Sequence, residues 1–353
     1  MNQSRQPRIL SGVQPSGKLH LGNYFGAIKQ HIALQEEGEC FYFIADYHAL
    51  TTIKEGVVRD ADDAKKQGRK ARPAAQLLHD QVLDVALDYL ALGLDPARVA
   101  FFRQSDVPEV CELAWMLGTV TGMGLLERAH SFKDKTARGI VANVGLFTYP
   151  ILMAADILIY RSNVVPVGKD QVQHLEMTRD MAGYFNQAVG KEIFPMPQER
   201  LDAIPVVPGT DGQKMSKSYG NTIDIFAEGK ALQKSVMGIV SDSAAVEEPK
   251  NPDTCNIFQL LRLFAPPEEL ETVANRYRAG GYGYAEAKQL LLEKIDTYYA
   301  PARAKRKELL ADLSQVEAVL VAGAAKARRE AFKTMEKVRK SLGMLPAPVG
   351  KPT

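Results

Sequence analysis

Two short stretches of this chain carry residue types suited to work on a polyphosphate. The first is Gln14-Pro15-Ser16-Gly17-Lys18-Leu19-His20-Leu21-Gly22-Asn23. Its glycine-bearing turn lets backbone approach a ligand closely. It follows a strand-like run and opens a helix, whose first N–H groups and partial positive charge suit phosphate. His20 and Asn23 stand three apart, so they share one helix face and can both donate to phosphate oxygens. The second stretch is Lys214-Met215-Ser216-Lys217-Ser218, bracketed by Gly212 and Gly220. Two lysines three residues apart on such a loop can reach one polyphosphate together and close over a leaving group. Alone, a glycine turn of this kind is common in open α/β sheets, and a lysine loop is more often simply solvated. Together, at the two ends of one α/β region, they point to nucleotide chemistry.

The elements around them fit that reading. Residues 8–13, 40–46 and 98–104 are rich in β-branched and aromatic residues and read as strands. Leu21, Tyr24, Phe25, Ile28 and Ile32 fall at helical spacing, and residues 73–92 read as a helix closed by Gly93. This alternation predicts a parallel sheet with crossover helices. Residues 60–72 are highly charged and read as a loop or exposed helix end, and residues 107–160 as a mostly helical insertion. Residues 164–167 form a short apolar strand, a helix runs from Lys169 to about Phe185, and 195–220 read as loop. After about Asn221 only helical patterns remain, at 256–264, 267–278, 284–310 and 315–342. The expected fold is α/β: a Rossmann-like parallel-sheet domain over residues 1–222, a helical bundle over 223–345, and a tail at 346–353.

Composition narrows the class. With 46% hydrophobic and 24% charged residues, the chain has the profile of an ordinary globular protein. No apolar run reaches the roughly 18 residues of a membrane span, and residues 1–8 lack the apolar stretch of a secretory signal, so a cytoplasmic location is expected. Cys40, Cys111 and Cys255 are far apart, which disfavours a disulfide framework or an all-cysteine metal site. The net charge is only +2, yet residues 303–340 carry 11 Lys/Arg against 5 Asp/Glu. That excess reads either as a solvated helix face or as a nucleic-acid contact.

On its motifs the chain resembles the class I aminoacyl-tRNA synthetases. PSGKLHLGN is similar to that family's first signature, with Asn23 where the final histidine of the name sequence stands, and KMSKS is its second signature letter for letter. The likeness spans nearly the whole chain. Within the family, residues 146–158 (LFTYPILMAADIL) and 165–174 (VPVGKDQVQH) resemble the tryptophan branch. The resemblance implies that Asp156 accepts the indole N–H. The chemistry agrees: indole has one donor and no acceptor, and a carboxylate in the apolar run 149–160 is costly without a partner. A substrate lacking that N–H would leave the carboxylate unpaired. Met153, one helical turn earlier, could wall the ring.

The resemblance further implies that Tyr149 and Gln171 hold the α-amino group, that Val165 and Val167 line the indole slot, and that His48 lies near the amino acid. For ATP it implies Gln14, Pro15, Ser16, Gly22 and Asn23 from the first signature. Gly168 and Asp170 would face the ribose, Val206 would join them, and Lys214, Met215, Ser216, Lys217 and Ser218 would close the site. Lys169 stands where the branch usually has Glu, which leaves a phosphate contact and a solvent-facing side chain both open. His20, Asn23, Lys214 and Lys217 are the expected catalytic set. Mg²⁺ is expected to be held by phosphates and water rather than by a dedicated protein site. A tRNA partner and a homodimer follow from the resemblance alone. Tyrosine-type specificity, an adenylyltransferase that does not charge tRNA, and a non-enzymatic RNA-binding paralogue are the rival readings.

Overall fold

The computed structural model describes residues 6–129, 143–201 and 206–344. The tail at 346–353 and His130 lie outside the described residues. β1 (Arg8–Val13), β2 (Glu39–Ile44), β3 (Val99–Arg103) and β4 (Val164–Pro166) are the runs that the sequence marks as strands. β5 (Gln198–Arg200) falls inside the stretch read as loop; it is three polar residues long and shows no apolar pattern. The sheet order is β3-β2-β1-β4-β5, and every pairing is parallel. Side-chain alternation divides the interior into two cores. Ile9, Tyr42 and Phe101 pack on one face of the sheet, and Leu10, Phe41, Phe43 and Phe102 on the other.

The connection after β1 is a continuous helical run, α1, made of Leu21–Asn23, a π-helical segment Tyr24–Ile28 and Lys29–Leu34. Between β2 and β3 lie α2 (Asp46–Leu50), α3 (Ile53–Gln67) and α4 (Ala74–Ala91). Of the stretch read as a loop or exposed helix end, residues 60–67 are the end of α3. Asp60 and Ala64 are buried on one side of it. α5 (Glu109–Gly118), α6 (Met123–Glu127) and α7 (Val144–Ile159) make up the described part of the helical insertion, and α8 (Val172–Ala188) follows β4.

This strand order places β1 beside β4, although the chain visits β2 and β3 between them. Connections therefore diverge there, and a crevice opens at the carboxyl ends of the two strands. At that end of the sheet the chain leaves β1 into 14–20, β2 into 46–48, β3 into 104–106 and β4 into 168–171. Four separate sequence segments thereby share one rim.

The later helices are α9 (Gly229–Met237), α10 (Asn256–Leu261), α11 (Pro267–Ala279), α12 (Tyr284–Ala311) and α13 (Leu313–Ser341). Aromatic edges join them to α1: the Tyr24 and Tyr299 rings lie 5.3 Å apart, as do those of Phe25 and Phe264. α13 leaves this group and returns to the sheet. At Gly323 an added Cβ would sit 1.9 Å from the Phe101 carbonyl oxygen, so only glycine lets the helix lie against β3. Ala324, Ala327, Ala331, Met335 and Val338 extend that contact into the second core and cover the open edge of the sheet.

Part of the basic run 303–340 is used inside the molecule. Arg303 is buried and donates to the Ile225 carbonyl at 3.2 Å and to Asp296 at 2.6 Å. Arg306 reaches Asp84 and Asp88 on α4, both at 2.6 Å, and Arg328 reaches Glu109 on α5 at 2.7 Å. Arg339 pairs with Glu112. Arg329, Lys337 and Lys340 are exposed, with no ion pair among the described residues. Arg306, Lys326, Arg328 and Arg339 thus tie α12 and α13 to the first half, while six of the run's eleven cations stay on the surface.

Candidate active site

The first signature segment bounds a cavity of about 1060 Å³. Gln14, Pro15, Ser16 and His20 line it, joined from the second signature by Lys217 and Ser218. Segments about two hundred residues apart meet because the backbone after the lysine loop runs back along α1. His20 and Asp224 form an antiparallel bridge, the Leu21 N–H donates to the Ile223 carbonyl at 3.0 Å, and the Ile225 N–H to the Leu19 carbonyl at 3.3 Å. Gly17 takes a φ of 92°, the left-handed turn that its position requires.

This pairing alters what the start of α1 can offer. The Leu21 N–H is taken by Ile223, the Gly22 N–H lies 3.4 Å from the Met215 sulfur, and the Asn23 N–H bonds to the His20 carbonyl at 2.9 Å. The expectation of free helix N–H groups for phosphate is therefore corrected. Asn23 does not line the cavity either: its Oδ1 accepts from the His20 N–H at 3.2 Å and caps the turn. His20 stays available. It is buried, its Nδ1 has no hydrogen-bond partner, and burial, followed by the nearby Lys217 charge and opposed by Asp224, lowers its pKa to about 4. At neutral pH it is an uncharged donor.

Of the two lysines, only Lys217 reaches the cavity. Its Nζ donates to the Ser16 and Gly17 carbonyls, each at 3.0 Å. Its stem stays exposed while the ammonium is tucked against the first signature. That desolvation, with a contribution from Arg59 and against the pull of Asp88 and Asp224, lowers it to about 8. Lys214 is exposed and does not line the cavity. Met215 is buried against Gly22 and anchors the loop. Ser216 caps the turn that follows it through the Ser218 N–H. Asn221, which sequence reasoning missed, braces the loop: its Nδ2 donates to Asp211 at 2.7 Å and to the Lys214 carbonyl at 3.2 Å, and its Oδ1 accepts from Ser216 at 2.8 Å. Its place directly after Gly220 was the only available signal.

Beyond the cavity wall at Ala49 lies a second, buried constellation. Asp156 on α7 is 2% exposed. His48 Nε2 donates to its Oδ2 at 2.8 Å, and Gln104 Nε2 donates to Oδ1 at 2.8 Å and Oδ2 at 2.9 Å. Burial pushes the Asp156 carboxyl above its ordinary value, and His48 and then Gln104 pull it back. Gln104 is a missed residue: it is 1% exposed, and its Oε1 also accepts from the His48 backbone at 3.4 Å. Asp46, likewise missed, accepts from the Ser105 N–H at 3.0 Å and holds the ends of β2 and β3 together. The Tyr149 hydroxyl is hydrogen-bonded to the buried His174, and its ring meets His48 edge-on at 6.3 Å. Burial raises Tyr149 to about 12, so it remains a neutral phenol.

Val165 is buried, and Val167 and Met153 are partly buried against the same core. Gly168, Lys169 and Gln171 follow β4 at the rim; Gly168 and Lys169 are exposed, and Lys169 makes no ion pair among the described residues. The Asp170 side chain lies outside the described residues. Val206 is 68% exposed and stands apart from the cavity lining. Among the described residues no group of three or more His, Cys, Asp or Glu is placed to hold a metal ion.

Comparison with known proteins agrees with this geometry. The family of class I tRNA synthetases for W and Y matches residues 1–300. The tryptophan--tRNA ligase of Rhodopirellula baltica is 53% identical over 338 residues, covering 96% of this chain and 99% of the relative. That of Fusobacterium nucleatum is 50% identical over 96% of this chain and 98% of its own length. The tryptophanyl-tRNA synthetase of Campylobacter jejuni, complexed with ADP and tryptophan, superimposes with a TM-score of 0.85 at 47% identity, over 96% of this chain and 100% of that one. Two signature segments meeting at one cavity, in a parallel sheet of this order and with identity of this extent, have one explanation: the chain belongs to the class I tRNA synthetases of the tryptophan and tyrosine family.

Proposed function

We propose that this chain activates L-tryptophan with ATP and then transfers it to the 3′ end of tRNA(Trp). The observation that carries this is the 53% identity to a tryptophan--tRNA ligase along 96% of the chain. The buried Asp156 beside apolar walls supports the choice of amino acid, because it provides the lone acceptor that an indole N–H needs. Tyr149 and Gln171 hold the α-amino group, and Val165, Val167, Met153 and His48 surround the ring.

In the first step the tryptophan carboxylate oxygen bonds to the α-phosphorus of ATP as the bond to pyrophosphate breaks. The protein contributes positioning and charge stabilisation. His20, neutral and unpartnered at Nδ1, donates to a phosphate oxygen. Lys217 neutralises charge growing on the pyrophosphate, and Lys214 swings to the same group when the loop closes. Gly168, Lys169 and Asp170 contact the nucleotide at the β4 rim, with Val206. In the second step a ribose hydroxyl of the terminal tRNA adenosine bonds to the activated carbonyl carbon and AMP leaves.

Mg²⁺ supplies charge neutralisation when bound with ATP. The cavity carboxylates suit a phosphate-held ion: Asp60 is occupied by two arginines, Asp224 faces Lys18 at 3.4 Å and Asp63 lies 3.9 Å from Lys66, and the three do not group as a cage among the described residues. Residues 1–222 form the catalytic part, and the helices of 223–345 receive the anticodon region. The enzyme works as a cytoplasmic homodimer. No helix among the described residues is long and apolar enough to cross a membrane.

ATP–pyrophosphate exchange screened across all twenty amino acids, followed by charging of total tRNA, tests the proposal. Exchange with tryptophan alone and charging of one tRNA species are expected. Preference for tyrosine would overturn the specificity. Exchange without charging would reduce the chain to an adenylyltransferase.

A further inference from the structure

Arg59 and Lys70 belong to neither signature segment, and the family resemblance gives them no role. α3 and the turn after it form one wall of the cavity, with the signature loop on another, and both residues line that wall. The wall is firmly built. Asp60 is 5% exposed and accepts from Arg69 Nη2 at 2.8 Å, and from Arg72 through its backbone N–H at 2.8 Å, Nε at 3.1 Å and Nη2 at 2.7 Å. Arg72 also reaches Asp80 on α4 at 3.0 Å. These bonds fasten residues 69–72 to both helices, and the two guanidinium groups hold the Asp60 carboxyl well below its usual range.

The same bonds sort the charges. Arg69 and Arg72 are matched by Asp60 and Asp80. Asp63, also on this wall, lies 3.9 Å from Lys66. Arg59 and Lys70 remain exposed, with no ion pair among the described residues. Arg59 is close enough to Lys217 for its charge to be felt there. Unmatched positive charge from two walls therefore converges on one volume. That volume, about 1060 Å³, is at the upper end of ligand pockets, which span roughly 300–1,000 Å³. An exposed guanidinium gains most when it meets phosphate in a partly enclosed space.

We propose that Arg59 and Lys70 form a second phosphate-binding wall of the active site, facing the lysine loop across the cavity. The inference rests on the synthetase reading above. The phosphates come from ATP and pyrophosphate or from the acceptor end of the tRNA; the recognising chemistry is the same, and the experiment separates the two.

The full-length double variant Arg59→Ala/Lys70→Ala leaves the Asp60 lock untouched. One arm measures the KM for ATP and for pyrophosphate in tRNA-free exchange. The other measures the KM for tRNA in aminoacylation at two salt concentrations. A rise of roughly tenfold is expected in one arm, on the scale of lost charge-assisted contacts. A rise in the first arm assigns the wall to ATP; a rise in the second, with a shallower salt dependence, assigns it to tRNA. Lys65→Ala, on α3 but outside the cavity lining, leaves both at wild-type values, and Arg59→Lys keeps most of the affinity. The proposal falls if both KM values in the double variant stay within about twofold of an active wild type. A wild type inactive with tryptophan would remove the functional reading, and the wall with it.

Discussion

The two halves of this site are built on opposite plans. On the proposed phosphate side, an open cavity is edged by His20 and Lys217, with Lys214 exposed outside its lining. On the amino-acid side, Asp156, Gln104 and His48 are buried and already bonded to one another. The difference follows from what each half must do. Polyphosphate arrives charged and changes charge during reaction, so cations at a solvent-open cavity serve it. Indole offers one weak donor, so discrimination depends on an acceptor whose position and charge are fixed before the substrate comes.

The contrast can be broken most forcefully at Lys217. Lys217→Ala is expected to slow tryptophan activation by about 100- to 1,000-fold, as for loss of one preorganised charge donor, while tryptophan affinity shifts by less than about threefold. Single-turnover adenylate formation beside equilibrium tryptophan binding measures both, and equal losses would erase the distinction between the halves.

Asp156→Asn probes the other half. The KM for tryptophan should rise about 10- to 100-fold, with that for ATP within about threefold. An analogue carrying sulfur in place of the indole N–H sharpens the test: wild type should disfavour it strongly and the variant far less. If wild type accepts both alike, Asp156 does not read the N–H.

The open half should also respond to pH where the closed half does not. In the proposed mechanism Lys217 must carry its proton to neutralise pyrophosphate, and its pKa in the free protein is about 8. The kcat/KM for ATP should therefore decline by about tenfold per unit above that pH, and Lys217→Arg should carry the decline beyond the accessible range. An unchanged alkaline limb in the arginine variant would assign it to another group.

The smallest effect separates two histidines with the same lowered pKa, about 4. His31 is enclosed in the core between Ser11 at 2.9 Å and Tyr89 at 3.0 Å, whereas His20 faces the cavity. Both are depressed below the unfolded value of 6.5, so the stability they lend is complete above 6.5 and is lost as pH falls towards 4. For His31 that is on the order of 3 kcal/mol. Thermal unfolding of His31→Gln should flatten with acid by part of that amount. ATP should flatten only the share belonging to His20, since phosphate favours its protonated form. A His31→Gln variant as acid-sensitive as wild type would count against this assignment.

What the sequence made legible was local. β1 was readable to the residue because its apolar run is bounded by polar neighbours. The signature loops were readable because turn chemistry and lysine spacing lie within a few positions. The misses are contacts between distant positions. Nothing near Gln104 announces that its amide will meet Asp156, and the charge of residues 60–72 left loop and helix end both open until Asp60 is seen bonding residues 69 and 72. For Asn23, helical spacing told which face it occupies, but not that residues 223–225 would pair with the signature loop and that its Oδ1 would cap the turn. The basic run was a matter of charge balance, and charge counted along a chain does not reveal which acids will sit opposite.

The docking of α13 on β3 has a consequence for how the molecule is made. The helix that seals the sheet is the last one among the described residues, and Gly323 meets Phe101 only after everything between them has been synthesised. At about 5–20 residues per second, a nascent chain carries its finished β3 with a bare edge for roughly ten to fifty seconds. During that interval an unpaired parallel strand of Val99-Ala100-Phe101-Phe102 is open to any other extended segment. A chain truncated before α13 keeps that edge unpaired, so it is expected to aggregate more readily than the full chain on refolding, which light scattering measures.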